Sequence, residues 1–416
     1  MSAARTMTSK TFAALSVRNF RLYAFGQLIS VSGTWMQSVA LGWLVLQLSG
    51  SSVDLGIAVA LQYLPTLLAG SYGGLVADRH QKRAILYATQ TSAGLLALLL
   101  GILVSSHHAS VPMVYVLSFL LGVANLFDVP ARQAFVQQMV GRDLLTNAVS
   151  LNSVLMNAGR LVGPAVATAF IAVAGTASCF YANAASYAAV LVALAIMRST
   201  EFVPMRTVAR EKGQLRKGLA YVRSTPSLRR AVIAVAVVSL FAFNFTVTLP
   251  VLAHVTFHQR SATHYGLLMG AMGLGAVFGG LFVAYRSRPT HGLLAVLALG
   301  FGASLSAVAL APSLLWAELL LVPTGAFSVA FVSTCNATMQ LNSSSEMRGR
   351  VMSLYSIAFF GTTPIGAPLI GWIIHVTNAR VGILVGSSLT VVIGLWLALT
   401  HERARRHSQA AVVYTD

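Results

Sequence analysis

Charge is what this sequence has least of. Only 9% of its 416 residues are Asp, Glu, Lys or Arg, against roughly a quarter in an ordinary soluble domain, so the chain cannot clothe a water-facing surface. Acids are scarcer still: 10 Asp and Glu stand against 28 Lys and Arg, for a formal net charge of +18. Cysteine occurs twice, at Cys179 and Cys335, in hydrophobic segments expected near opposite membrane faces; no disulfide framework follows. A Walker-type phosphate loop, a His/Glu zinc motif, a Gly-x-Ser-x-Gly elbow and a close carboxylate pair at membrane depth are also missing, which counts against ATP-driven transport and against an integral-membrane enzyme. What is abundant is apolar surface. Hydrophobic residues make up 56% and the mean hydropathy is +0.75, so most of the exterior must face lipid. The 34 glycines and 12 prolines suit membrane helices, where neighbours satisfy freed backbone groups and small residues permit close packing.

A spanning helix needs about 20 mostly apolar residues. That criterion gives twelve segments: 22–48, 53–77, 84–105, 112–135, 146–174, 177–197, 231–254, 265–285, 292–311, 313–338, 351–375 and 381–400. The first is too long for a signal-peptide core and ends without a small-residue cleavage site, so it reads as an uncleaved span. Lys and Arg are retained on the cytoplasmic side during insertion. With both termini inside, every Lys and Arg falls on that side except Arg160, Arg260 and Arg380. The basic charge is thus explained by topology and anionic headgroups, and no nucleic-acid partner is required. A multi-pass protein of the plasma (inner) membrane is expected, monomeric, with no cofactor and no metal.

The polar interval near residues 198–230 separates six spans from six. The sequence therefore predicts an all-α integral membrane protein of 12 transmembrane helices in two pseudo-symmetric six-helix halves: 1–197, a cytoplasmic central loop 198–230, 231–400, and a cytoplasmic tail 401–416. Two offsets support duplication. At +203, Ser150, Leu151, Ser153 and Gly163 meet Ser353, Leu354, Ser356 and Gly366; at +210, Gly56 and Gly70 meet Gly266 and Gly280. Parallel repeats with a substrate path between them are a transporter architecture.

Polar residues inside the spans are the candidate functional groups. Gln27, Ser30, Thr34 and Gln37 share one face of span 1; they either wall a substrate path, together with Asn157 and Arg160, or pack against another helix. Arg160 lies about 20 Å along span 5 at 1.5 Å per residue, too deep to snorkel, so it either lines a cavity as an attractor of anionic substrate or sits in a buried pair. Glu318 enters span 10 from the outside, and because burial can bring a carboxylate into the working pH range, it is the candidate proton-coupling acid.

Between spans 2 and 3 runs Gly74-Leu-Val-Ala-Asp78-Arg79-His-Gln81-Lys82-Arg83. This resembles the signature loop of the major facilitator superfamily, with Gln81 where the family carries Gly, a change that predicts a less tight turn. As a conformational latch, Asp78 would dock on the positive N-terminus of span 11, while Arg79, Lys82 and Arg83 would pair with Asp128. The alternative is that these basics simply face water. The stretches Asn19–Ser30, Gly33–Gln37 and Ala40–Val45, with Asp128-Val-Pro130-Ala-Arg132, look like the enterobactin-exporter-like branch. Asn157-Ala-Gly-Arg160-Leu-Val-Gly163-Pro164 is similar to the superfamily's antiporter motif, with Gly163 and Pro164 its helix-packing pair; Ala165 and Ala167 depart from it. In the second half Arg288 occupies the position of Asp78. The resemblance implies a secondary transporter that exports a small amphipathic organic compound, a siderophore or drug, by alternating access coupled to protons. Import of a small polar metabolite is the nearest alternative, ahead of an enzyme or a non-transporting sensor.

Overall fold

The computed structural model describes residues 12–141, 143–203, 214–259, 261–286, 291–344 and 346–413; Arg142, Arg260 and Arg288 lie outside them. All regular elements among the described residues are helices. Eleven helical stretches are long and apolar enough to cross a bilayer. One of these, Leu145–Ile196, has 52 residues and would extend about 78 Å, more than twice a hydrocarbon core of about 30 Å. It is two spans, 145–174 and 176–196, separated at Gly175, whose φ of +75° lies where a residue without Cβ is favoured. The protein is thus an all-α membrane protein of twelve spans, six in each half.

Span 1 is Arg18–Ser49, span 2 Ser52–Arg79, span 3 Lys82–Ser105 and span 4 Val111–Val140, followed by spans 5 and 6 as above. Span 7 is Pro226–Thr256, span 8 Ala262–Arg286, span 9 His291–Ala309, span 10 Leu314–Leu341, span 11 Arg348–Val376 and span 12 Ala379–Val413. Gly50, at φ +64°, ends span 1 with its N–H on the Leu46 carbonyl, 2.8 Å away, a left-handed C-terminal cap. The sequence-expected central loop contains a further helix, Gln214–Ser224. Span 7 begins at Pro226, because proline suits a first helical turn, where no N–H is needed.

The chain forms two compact units: Met1–Gly50, Leu61–Ala209 and Ser261–Gly270 in one, Ser51–Ala60, Arg210–Arg260 and Ala271–Asp416 in the other. The first ten or so residues of spans 2 and 8 therefore each belong to the unit built mainly from the other half of the sequence.

Within the first unit, span 1 packs along spans 5 and 6, and span 3 against spans 4 and 6. Backbones approach where side chains are absent: a Cβ on Gly163 of span 5 would strike the Ser32 carbonyl and Trp35 of span 1, and one on Gly122 of span 4 the Gln62 carbonyl of span 2. Gly266 of span 8 meets Pro164 and Thr168 of span 5 in the same manner. At the end carrying the 2–3 connection, Phe20, Tyr23, Leu86, Phe135, Met139 and Leu194 make a buried core.

The second unit repeats the plan. Span 9 packs against spans 10 and 12, and span 7 against spans 10, 11 and 12. Gly366 of span 11 abuts the Leu240 carbonyl of span 7, Gly325 of span 10 the Met272 carbonyl of span 8, and Gly56 of span 2 the Ala367 carbonyl of span 11. The hydroxyl of Ser52 adds a hydrogen bond to the Gly371 carbonyl at 2.8 Å. Thus two of the three glycine pairs matched by the sequence offsets, Gly163 with Gly366 and Gly56 with Gly266, occupy matching contacts, while Gly70 and Gly280 make no close interhelical approach. The helix Gln214–Ser224 lies on this unit: Val222 is buried, Gly218 touches Arg350, and the Tyr221 hydroxyl accepts the Ser344 N–H at 3.2 Å.

Candidate functional site

Span 5 carries the deepest cation. Asn157 and Arg160, three residues apart, share a face and are both half-buried, while Gly159 and Gly163 put the neighbouring face against Val31, Ser32, Trp35 and Met36 of span 1. That close approach places the Arg160 guanidinium 4.8 Å from the centroid of the Trp35 ring, a cation–π contact. The Tyr63 phenol of span 2 lies within electrostatic reach. Asn157 donates to the Ser153 carbonyl at 3.0 Å, which leaves its amide oxygen available. The arrangement is a partly open cation backed by an aromatic ring, suited to an anionic or electron-rich group.

The polar stripe of span 1 goes elsewhere. Gln27, Ser30 and Gln37 are buried, and the Gln37 amide oxygen accepts Asn183 Nδ2 of span 6 at 2.6 Å. Ser186 donates to Asn183 Oδ1 at 2.9 Å, and both side chains crowd Gly33 of span 1. Thr34 is half-buried and donates to the Ser30 carbonyl at 2.9 Å. For Gln37 the geometry supports interhelical packing over a path wall, because its acceptor is already used.

Asp128 is also differently engaged than the sequence suggested. It is buried and pairs with Arg132 one turn along span 4, while Thr89 Oγ1 and Gln90 Nε2 of span 3 donate to its other oxygen at 2.9 and 2.7 Å. Arg79, Lys82 and Arg83 are not the partners that hold it. Lys82 donates to the Asp78 carbonyl at 3.3 Å. Arg83 caps the end of span 6, reaching the Leu194 carbonyl at 2.5 Å and Ser199 Oγ at 2.7 Å, where the helix dipole favours a cation. Arg18 joins it on the Ile196 carbonyl at 3.2 Å. Gly74 is buried in span 2 and Asp78 half-buried near its end. Gln81 closes the turn at φ −64°, an ordinary conformation in which glycine has no advantage.

Glu318 sits half-buried in the first turns of span 10. Among the described residues no group of three His, Cys, Asp or Glu comes together, and both cysteines are buried and unbridged. The second unit offers rings in place of charges. Spans 7 and 11 are each interrupted, at Ala242–Asn244 and at Gly361–Thr362, and Phe243, Phe245, Phe301, Tyr355, Phe359 and Phe360 gather there. Sequence reasoning missed this cluster, since phenylalanines in spans carry no pattern distinct from lipid-facing ones. The Asp128–Arg132 pair did leave a signal, the i, i+4 acid–base spacing on one helix.

Twelve helices in two repeated six-helix halves, with a charged residue at mid-depth and apolar surface outside, define a multi-pass membrane transporter. Residues 9–413 match the family described as transmembrane secretion effector; the chain belongs to that family, on the drug and siderophore efflux branch of the major facilitator superfamily. It is 27% identical to the multidrug efflux pump Tap of Mycolicibacterium fortuitum over 84% of this chain and 88% of that protein. It is 24% identical to the enterobactin exporter EntS of Citrobacter koseri over 94% and 93%. Among solved structures, a bacterial homologue of the human lysosomal transporter Spinster shares the fold with a TM-score of 0.71 at 15% identity, over 93% of this chain and 97% of that one. The family is one of transporters of small molecules, not of enzymes.

Proposed function

We propose that this transporter exports a small amphipathic organic compound, in the class of siderophores and drugs, across the inner membrane in exchange for protons. Similarity to a multidrug pump and a siderophore exporter supports the direction and the substrate class. The observation that carries the site is Arg160, a mid-membrane cation held against a ring, with no ion pair to a carboxylate among the described residues. A charge at that depth is expensive unless paired or hydrated, and the arrangement fits a site that receives an acidic or electron-rich substrate group. Asn157 on the same face supplies an amide for orientation. The loop residues Gly74, Asp78, Arg79, Lys82 and Arg83 set the balance between conformations, and Glu318 carries the coupled proton. Both termini and the 2–3 loop face the cytoplasm, as the distribution of basic residues indicates.

Reconstitution into proteoliposomes with an imposed proton gradient tests this reading. Wild-type protein should move a drug or iron-free siderophore probe only with the gradient present. Arg160→Ala should abolish that movement and Arg160→Lys should keep a part of it, since lysine supplies a charge without the planar fork. Full transport by Arg160→Ala would remove Arg160 from the path. Substrate-driven proton flux that persists in Glu318→Gln would sink the coupling assignment, and unchanged accessibility of engineered cysteines in Asp78→Asn would sink the latch.

A further inference from the structure

We propose that the interrupted level of spans 7 and 11 is a subsite of the C-terminal half for a flat aromatic ring, with Phe243, Phe359 and Phe360 as its platform. This inference rests on the transporter reading above and names the kind of compound the same activity would take.

The argument starts from the repeat. Span 5 carries Ser150, Ser153, Asn157 and Arg160 on one face, and Arg160 at mid-depth makes that face unsuited to lipid. The +203 offset that superposes Gly163 on Gly366 carries the same face to Ser353, Ser356, Phe360 and Thr363 of span 11. Ser353 and Ser356 are exposed there, as Ser150 and Ser153 are in span 5. Phe360 lies about 18 Å from the start of span 11, a depth comparable to that of Arg160 in its own half. The equivalent faces thus present a cation and an amide in one half, and an aromatic ring with a hydroxyl in the other.

The rings are arranged as a surface, not only as filler. Phe360 is 48% exposed, and Phe243 and Phe359 are half-buried. Behind them Phe245 and Phe301 are buried and hold Phe243 at centroid distances of 5.9 and 5.3 Å. Phe359 meets Phe360 at 4.8 Å with planes at 79°, and Phe243 at 5.5 Å with planes at 72°. Tyr355 stacks under Phe359 with planes 6° apart. Edge-to-face and offset-stacked contacts at these separations are the favourable geometries between rings, and a further flat ring laid on Phe360 would extend the series.

Both helix breaks occur at this cluster. Asn244 Nδ2 bridges the break in span 7 to the Leu240 carbonyl at 2.8 Å, and the Thr362 hydroxyl sits 3.3 Å from the Ala358 and Phe359 carbonyls. Gly361 and Thr362 keep helical dihedrals, so in span 11 only the hydrogen-bond ladder is interrupted. In span 7 Asn244, at φ −95° and ψ 38°, leaves the helical region. Non-helical backbone at membrane depth is tolerated where it is buried in protein or lines a cavity, not against lipid, and discontinuous helices are where transporters build binding sites. Span 5 is continuous at the equivalent level, so the break belongs to the half that carries the rings.

Purified full-length protein in nanodiscs, titrated calorimetrically with 2-naphthalenesulfonate and with cyclohexanesulfonate, provides the test. Wild type should bind the aromatic sulfonate at least tenfold more tightly. Phe360→Leu and Phe243→Leu should each erase most of that preference, Phe360→Trp should keep it, and Phe278→Leu, an exposed apolar change on span 8, should leave it intact. Thermal unfolding of each variant separates a lost platform from a lost fold. Equal binding of both probes by wild type, binding of neither, or a preference untouched in a folded Phe360→Leu and Phe243→Leu pair overturns the proposal. Failure of the transporter reading would look different: ring preference present, with no compound moved by proteoliposomes.

Discussion

The two halves share a skeleton and differ in what fills it. In the first, glycines bring span 5 onto span 1 and span 4 onto span 2; in the second, their counterparts bring span 11 onto span 7 and span 10 onto span 8. Side-chain chemistry then diverges. The first half buries an acid–arginine pair with Thr89 and Gln90, and an amide pair between Gln37 and Asn183. The second half buries phenylalanines instead, Phe245 and Phe301 among them. Duplication has preserved the points where backbones touch, because a Cβ there meets a carbonyl that cannot move aside, and has left the facing side chains free to specialise.

The charged pair offers the strongest way to break the comparison. Arg132→Leu leaves Asp128 as an unpaired acid inside the bundle, a change worth about 3–5 kcal/mol. A large drop in the thermal unfolding temperature of detergent-purified protein is expected, partly reversed in the Arg132→Leu/Asp128→Asn double variant. If the single variant melts like wild type, the network is not what organises this end of the half. Next come the matched glycines. Gly163→Val and Gly366→Val should each destabilise by about 1–3 kcal/mol through overpacking, and by similar amounts if the skeletons are equivalent; a cost confined to one of them would mean that the repeat is only in sequence. The smallest effect should come from Gln37→Leu. Interhelical hydrogen bonds in membranes are worth about 0.6 kcal/mol on average, at most about 1.7, so a slight loss of stability with retained transport is expected. Abolished transport in a well-folded Gln37→Leu protein would restore this residue to the substrate path.

The fold was legible because lipid imposes a single rule. Every span announced itself by length and hydropathy, and the stretch 145–196 was divided close to its break at Gly175, since no bilayer accommodates its length. The start of span 7 was less visible, because Pro226 and Leu228 begin the helix beside Arg229 and Arg230, in a basic stretch that read as loop up to residue 230. Candidate groups stood out in the sequence only where a charge lay at depth, as with Arg160, whose part in transport is the proposal made above. The polar stripe of span 1 showed that Gln27, Ser30 and Gln37 face protein, but helical periodicity cannot say whether that protein is a neighbour or a cavity wall; Asn183 decided it for Gln37. Asp128 was assigned to the nearby basic loop because both were expected at the cytoplasmic end, and the i, i+4 spacing to Arg132 was passed over. Its actual partner stood four residues away on the same helix, and Arg83 was already committed to the carbonyls that end span 6.

Those carbonyls have a consequence for synthesis. The end of span 6 is clasped by residues from the start of span 1, where Arg18 reaches the Ile196 carbonyl and Asn19 exchanges hydrogen bonds of 3.0 and 3.1 Å with the Arg198 backbone, and by Arg83 from the start of span 3. The earliest and latest spans of the first half are thereby tied at a single point. Once residue 198 has emerged from the ribosome, all parts of this fastening exist, while the second half has yet to be made. Chains of several domains generally fold N-terminal first, and here the fastening lets six helices settle against one another in the bilayer before the remaining six arrive to compete for the same apolar surfaces.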